Sequence, residues 1–299
     1  MIRRKANGDG DKGVRMTKTT IETVRAEALE NSAVSRDGTT IAYRTVGTGP
    51  SVIVIPGALS TAADYVAFAN ALAARFTVHT IDRRGRGLSG PQGDGYTIAK
   101  ECDDVLAVQE QTGAVFVVGH SYGGLVTLEF ARHSRSITKI ALYEPGVSIN
   151  GSIPMDWMKP YANHLSNKRY LDAFATFTTG VGPERARKTP HWLIKVLLSF
   201  FIPRRERESM LRLLNENLRE HTEVARLDSS YRNYREISAN VLLMYGGKSD
   251  SRWVLLSMER LANVLQESIT KEFPALDHFG INRKAPIEVA RAVGDHFLG

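Results

Sequence analysis

Short runs rich in apolar and β-branched residues, separated by helical patterns, constrain the fold of this chain more than any other feature. The runs occupy residues 52–55, 77–81, 114–118, 137–143, 241–245 and 268–273. A run that is apolar along its whole length, such as 114–118, is typical of a parallel strand covered on both faces. The alternation therefore predicts an α/β fold with a mostly parallel central sheet flanked by helices.

The alternation of strands and helices stops after residue 145 and resumes near residue 239. The interval 146–238 carries mainly helical patterns. A helical block inserted between two strands of one sheet is most simply a cap over the carboxyl ends of the strands. We therefore expect a core formed by residues 28–145 and 239–299, a helical cap at 146–238, and a disordered tail over the polar residues 1–27.

The charge of the chain does not indicate a nucleic-acid-binding protein. The 299 residues include 39 Lys and Arg against 32 Asp and Glu, a formal net charge of +7. Residues 1–18 carry six basic and two acidic residues, so much of the excess lies in the polar leader. A nucleic-acid binder would be expected to cluster its basic residues on the folded body. We predict no nucleic-acid partner.

Hydropathy and cysteine content exclude further classes of protein. The sequence has no run of 18 apolar residues, so we predict no membrane span. A single cysteine, Cys102, excludes an internal disulfide framework and a cysteine-rich metal site. The composition suits a cytoplasmic protein.

The motif at residues 119–123, Gly-His-Ser-Tyr-Gly, carries the sharpest chemical signal. It lies directly between the strand predicted at 114–118 and the helix predicted at 123–133. In this context Gly-x-Ser-x-Gly places a nucleophilic serine on a tight, strained turn, where larger flanking residues would collide with the neighbouring strand and helix. The alternative reading is a serine that only caps the helix. We expect Ser121 to be a nucleophile.

With this motif the chain resembles the α/β-hydrolase fold superfamily over about residues 28–299, and specifically its serine-nucleophile, esterase- or lactonase-like branch. Residues 52–58 resemble the family's strand and oxyanion loop, although this chain has Pro-Gly where many members have His-Gly. Residues 82–89 resemble its signature turn, and residues 275–280 resemble the loop that delivers its catalytic histidine. The resemblance implies the α/β-hydrolase fold with an inserted helical cap.

A nucleophilic serine needs a base within hydrogen-bond reach, and that base needs a third group to orient it. Of the eight histidines, His278 lies in a loop after the last predicted strand, where the carboxyl ends of the strands converge. His120 lies within the Gly-x-Ser-x-Gly turn and is expected to point away from Ser121. We expect His278 to be the base.

Two carboxylates compete for the third position of the triad. The family usually takes its acid from a Gly-x-x-Asp turn after the strand at 241–245, and Asp250 occupies that position when counted from Gly247. Some relatives take it from the preceding strand and pair Tyr-Glu-Pro with a Gly-Gly-x-Ser turn, as this chain does around Glu144. A carboxylate at a strand end in the mouth of an active site has no simple structural explanation. We favour Glu144, with Asp250 as the alternative.

The oxyanion hole is expected to use two backbone N–H groups, those of Tyr122 and Ala58, with Leu59 replacing Ala58 if the turn is shifted by one residue.

Residues 85–90 satisfy the dinucleotide-binding motif Gly-x-Gly-x-x-Gly. In a dinucleotide site a helix would begin there, but Pro91 and two glycines follow instead. The sequence also lacks His-Glu-x-x-His and any Cys/His cluster. We therefore predict neither a cofactor nor a metal.

These residues together predict a serine hydrolase that cleaves a small ester, thioester, lactone or amide through an acyl-enzyme. A serine nucleophile argues against the dehalogenase and epoxide-hydrolase branches, which need a carboxylate. The alternatives are a lyase, cofactor-free peroxidase or acyltransferase with the same triad, and a non-catalytic ligand receptor. Six large apolar residues of the predicted cap suggest an apolar substrate portion, unless they form the core of the cap itself: Phe174, Phe177, Trp192, Leu197, Phe200 and Phe201.

Overall fold

The computed structural model describes residues 29–182, 184–249 and 252–299. The predicted tail at 1–27 and the candidate acid Asp250 lie outside these residues. The described chain forms eight β-strands: β1 (Leu29–Val34), β2 (Thr40–Val46), β3 (Ser51–Ile55), β4 (Thr77–Ile81), β5 (Phe116–His120), β6 (Lys139–Tyr143), β7 (Asn240–Gly246) and β8 (Ser268–Phe273).

The eight strands form one sheet in the order β1-β2-β4-β3-β5-β6-β7-β8. Strand β2 pairs antiparallel with β1 and β4, and all other neighbouring strands are parallel. The predicted mostly parallel sheet is therefore confirmed. The registers of β5, β6 and β7 align His120 with Tyr143, and Tyr143 with Met244. The residues that follow these three strands consequently emerge side by side at the carboxyl edge of the sheet.

The strands in the middle of the sheet are buried on both faces because helices cover each side. In β3, Ile53 and Ile55 belong to one core cluster, while Val52 and Val54 belong to the cluster on the other face. The described helices are α1 (Val66–Leu72), α2 (Ile98–Thr112), α3 (Tyr122–Ala131), α4 (Met158–Ser166), α5 (Tyr170–Val181), α6 (Glu184–Arg187), α7 (His191–Phe201), α8 (Arg204–Arg212), α9 (Leu214–Arg226), α10 (Arg252–Val264) and α11 (Pro286–Leu298). Further helical turns occupy Ala62–Tyr65, Ser230–Glu236 and Gly280–Lys284.

One predicted helix is two helices in the structure. The pattern over residues 205–219 favours a single helix, but the chain breaks at Leu213, where φ is -96° and ψ is 8°. The side chains of Leu213 and Leu214 are buried at this break. The prediction was wrong here because no Gly or Pro marks the break, and tertiary burial of the two leucines sets the direction of α9.

Helices α4 to α9 follow β6 and precede β7, and we call them the helical segment. They share a core of their own, in which Trp157, Tyr161 and Phe174 are almost fully buried. Three of the apolar side chains predicted to line a pocket or form this core instead face outward, since Trp192 is 65% exposed, Leu197 39% and Phe200 82%. The division of the chain into a core and a cap at residues 146–238 stays a prediction.

No helix within the described residues is both long and apolar enough to cross a membrane.

Candidate active site

Ser121 occupies a strained turn between β5 and α3. Its φ of 53° and ψ of -121° lie where residues other than glycine are seldom found. The flanking glycines make this turn possible because a Cβ on Gly119 would lie 2.3 Å from Thr127 Oγ1, and one on Gly123 would lie 2.2 Å from the Ile55 carbonyl oxygen. The turn places Ser121 at the start of α3, at the wall of a cavity.

His278 and Glu144 form a close pair in the same cavity wall. His278 Nδ1 lies 2.7 Å from Glu144 Oε2. Glu144 is fully buried, and its other oxygen, Oε1, accepts hydrogen bonds from the Gly246 amide at 2.8 Å and from Ser249 Oγ at 2.5 Å. The carboxylate is thus bonded on both oxygens. The structure brings Ser121, His278 and Glu144 to the wall of one cavity.

Two local features set the position of Glu144. The residue directly follows β6 with a φ of 44°, and its amide donates to the Met244 carbonyl of β7 at 2.9 Å. The side chain therefore turns toward the loop after β7, where Ser249 lies. No side-chain hydrogen bond of Ser121 is found among the described residues, and catalytic hydrogen bonds often form only when substrate binds.

His120 is a part of the site that sequence reasoning missed. Its Nδ1 accepts a hydrogen bond from Tyr65 Oη at 2.5 Å, and its Nε2 lies 2.9 Å from the His278 carbonyl oxygen, to which it donates. Burial lowers the pKa of His120 well below its usual value, as does the nearby His278, so the ring stays neutral. His120 thus anchors the backbone of His278.

A buried arginine pair holds the turn after β3. Arg83 donates to the Gly57 carbonyl at 3.1 Å, and Arg86 donates to the same oxygen at 3.4 Å. The Gly57 amide donates to Tyr65 Oη at 3.0 Å. Since a trans peptide directs its C=O and N–H in opposite directions, fixing the Gly57 carbonyl also aims the Ala58 N–H away from the arginines. Ala58 lines the same cavity as Ser121.

The arginine pair also binds the helical segment. Glu220 on α9 is fully buried, and its Oε1 accepts from Arg83 at 3.0 Å and from Arg86. Arg83 further donates to Glu101 at 2.7 Å. Burial alone would lower the pKa of Arg83, but the carboxylates of Glu101 and Glu220 raise it, so the guanidinium stays charged. Two cations and two anions thus compensate one another between the sheet and α9.

We expect Glu220→Gln to destabilise the protein by about 3–5 kcal/mol, because it leaves two buried guanidiniums short of one negative charge. Urea unfolding followed by circular dichroism measures this loss. The matched control is Glu236→Gln. The Glu236 carboxylate is 46% exposed and pairs with Arg132 at the surface, so its loss should lower the free energy of unfolding by at most about 1 kcal/mol. Equal losses in the two variants would contradict the role given to the buried network.

The cavity that holds these residues has a volume of about 430 Å³. Ser121, His278, Ala58 and Tyr122 line this cavity. Eight further apolar lining residues lie between β6 and β7: Ile153, Phe174, Phe177, Val181, Leu198, Ile202, Met210 and Val224. This size and lining are typical of a site for a small organic ligand.

The described residues contain no group of three or more His, Cys, Asp or Glu side chains that could hold a metal ion.

Residues 52–292 match the sequence profile of the alpha/beta hydrolase family. An uncharacterised hydrolase of Bacillus subtilis is 30% identical over 122 residues, which cover 39% of this chain and 45% of that relative. The chain thus matches less than half the length of this curated relative.

Solved structures resemble the whole described fold. An alpha/beta hydrolase from Sphaerobacter thermophilus is 29% identical, with a TM-score of 0.77 over 89% of this chain and 100% of that chain. The enol-lactonase from Burkholderia xenovorans is 19% identical, with a TM-score of 0.70 over 90% of this chain and 100% of that chain. Since the family profile covers well over half of the sequence and the sheet has the corresponding topology, the chain belongs to the alpha/beta hydrolase family.

Proposed function

We propose that the protein is a serine hydrolase that cleaves a small, largely apolar ester, thioester, lactone or amide. The observation that carries this proposal is the hydrogen-bonded pair of His278 and Glu144 in one cavity with the strained Ser121. A serine hydroxyl is a poor nucleophile at neutral pH, and an oriented imidazole is the group that activates it. A pure ligand receptor would need neither the strained turn nor the buried carboxylate.

In the proposed reaction, Ser121 Oγ attacks the substrate carbonyl carbon while His278 Nε2 takes the hydroxyl proton. Glu144 accepts the Nδ1–H hydrogen bond, which fixes the tautomer that leaves a lone pair on Nε2 and stabilises the imidazolium. His278 then returns the proton to the leaving group, and an acyl-enzyme remains on Ser121. Water, deprotonated by His278, attacks the acyl carbon and releases the acid.

The N–H groups of Ala58 and Tyr122 would bind the negative oxygen of the tetrahedral intermediate. Tyr122 is the first residue of α3, so its amide has no partner within the helix. The Ala58 amide shares a peptide plane with the Gly57 carbonyl, which accepts from Arg83 and Arg86. These positive charges polarise the peptide and strengthen the N–H as a donor. Leu59, the alternative donor, has a φ of 55° in the same turn.

The helical segment would act as a cap that shapes the substrate pocket. Several of its apolar side chains line the cavity, so an apolar acyl or alcohol group would gain by leaving water there. Phe174 and Phe177 are the two large aromatic residues of the predicted set that line the cavity.

The test is a panel of p-nitrophenyl esters of straight-chain acids, combined with covalent labelling by a fluorophosphonate. We expect labelling and turnover, with kcat/KM rising with chain length until the acyl group fills a cavity of about 430 Å³. Labelling without turnover of any ester would favour a lyase, cofactor-free peroxidase or acyltransferase with the same triad. Absence of labelling would favour a ligand receptor and overturn the proposal.

A further inference from the structure

His221 is a buried polar residue in the apolar wall of the cavity. It lies on α9, one turn before Val224, and both residues line the cavity. The side chain is only 9% exposed, and its ring packs edge-on against Trp157 at 5.0 Å and Phe177 at 5.2 Å between centroids. Buried polar atoms are normally hydrogen-bonded, so each ring nitrogen of His221 is expected to have a partner.

One nitrogen of His221 has its partner within the helix. His221 Nδ1 lies 2.9 Å from the carbonyl oxygen of Asn217, one turn earlier on α9. A carbonyl oxygen only accepts, so Nδ1 carries the proton. Burial lowers the pKa of His221, so the ring is neutral and Nε2 holds a lone pair. Among the described residues, Nε2 has no hydrogen-bond partner.

Three other polar side chains of the cavity wall are engaged, whereas Asn282 Oδ1 also lacks a hydrogen-bond partner among the described residues. Thr178 Oγ1 donates to the Phe174 carbonyl at 2.8 Å. Asp277 pairs with Lys284 at 2.6 Å, and Arg283 pairs with Glu206. His221 Nε2 is therefore a hydrogen-bond acceptor that faces an apolar cavity without a protein donor to satisfy it.

We propose that His221 Nε2 forms a recognition subsite for a hydroxyl or N–H group on the apolar part of the substrate. This inference rests on the proposed hydrolase function and narrows its substrates to those that carry a hydrogen-bond donor away from the scissile carbonyl. An unsubstituted alkyl chain in the same position leaves the buried acceptor unpaired, which costs more than the net gain of a typical hydrogen bond.

The test compares esters that differ only by a hydroxyl group. The probes are p-nitrophenyl esters of straight-chain acids and of the same acids hydroxylated at C3, C6, C7 or C8, since hydroxyls at C4 and C5 would expel p-nitrophenol by closing a lactone ring. For each position we take the ratio of kcat/KM for the hydroxylated ester to kcat/KM for its parent. In the wild-type protein this ratio is expected to peak at one position, about tenfold above the others.

Two variants of His221 separate hydrogen bonding from packing. His221→Phe keeps a flat ring between Trp157 and Phe177 but removes the acceptor, so the peak should disappear. His221→Gln keeps an acceptor oxygen, so it should restore part of the peak. A flat profile in the wild-type protein, or the same peak in wild type and His221→Phe, would overturn the subsite. Melting temperatures of both variants show whether they fold.

Binding measurements distinguish failure of the subsite from failure of the proposed chemistry. The same pairs of esters are titrated into Ser121→Ala and into the double variant Ser121→Ala/His221→Phe. Selective binding of one hydroxylated ester that is lost in the double variant supports the subsite even where the wild-type protein turns over no ester. Equal affinities for both members of every pair, with normal turnover by the wild-type protein, would overturn the subsite and leave the hydrolase function standing.

Discussion

Ser121→Ala is expected to lower ester hydrolysis by about 10⁶-fold and to abolish labelling by a fluorophosphonate. The substitution removes the hydroxyl that attacks the carbonyl and forms the covalent bond to the probe. It leaves a Cβ in place, so the turn between β5 and α3 keeps its backbone conformation. Circular dichroism and the melting temperature should therefore match those of the wild-type protein, and mass spectrometry of the intact protein measures the label.

The control for Ser121→Ala is Ser60→Ala, which removes a second serine hydroxyl from the wall of the same cavity. Ser60 Oγ donates to the Ala58 carbonyl at 3.2 Å, so its loss changes a local contact without removing the nucleophile. We expect this variant to retain labelling. Labelling that persists in Ser121→Ala would show that another residue is the nucleophile.

Glu144→Gln is expected to lower kcat by about 10⁴-fold. The glutamine oxygen can still accept from the Gly246 amide and Ser249 Oγ, which turns its NH₂ group toward His278 Nδ1. Two donors cannot bond to each other, so the imidazole is driven to the tautomer with its proton on Nε2. That tautomer cannot accept the proton of Ser121.

The comparison variant for the acid is Asp250→Asn, which should lower kcat less than about tenfold by altering local turn stability. Steady-state kinetics with one p-nitrophenyl ester measures both variants. A large loss in Asp250→Asn with a small one in Glu144→Gln would place the acid after β7. Modest losses of similar size in both would show that the two carboxylates substitute for one another.

The fold was predictable where strands are buried on both faces. The bounds predicted for β4, which is buried, are those of the structure. The bounds predicted for β8 also agree, although this edge strand is mostly exposed. The helical segment was less predictable, since the break at Leu213 is set by burial of the neighbouring leucines rather than by a local signal. The outward orientation of Trp192 and Phe200 likewise depends on which face of α7 packs inward.

Those residues of the candidate site that belong to a sequence motif were predictable. The positions of Ser121 and His278 follow from the turn and from the order of the strands. The supporting contacts were not predictable, because they join residues that are distant in sequence. The motif predicts no role for His120 in the site, because its contacts with Tyr65 and His278 form only in the folded protein. Buried arginines such as Arg83 contradict the usual exposure of this residue type.

The order of the site residues along the chain determines which segments recombination can exchange between related proteins. The Ala58 turn, Ser121 and Glu144 all precede the helical segment. Recombination after Glu144 would therefore replace the segment without separating the proposed nucleophile, acid and amide donors. Glu220 restricts this exchange, since a foreign segment that lacks a carboxylate there would leave Arg83 and Arg86 without their shared anion inside the core. Chimaeras with related hydrolases should therefore be selected for an acidic residue at this position of α9.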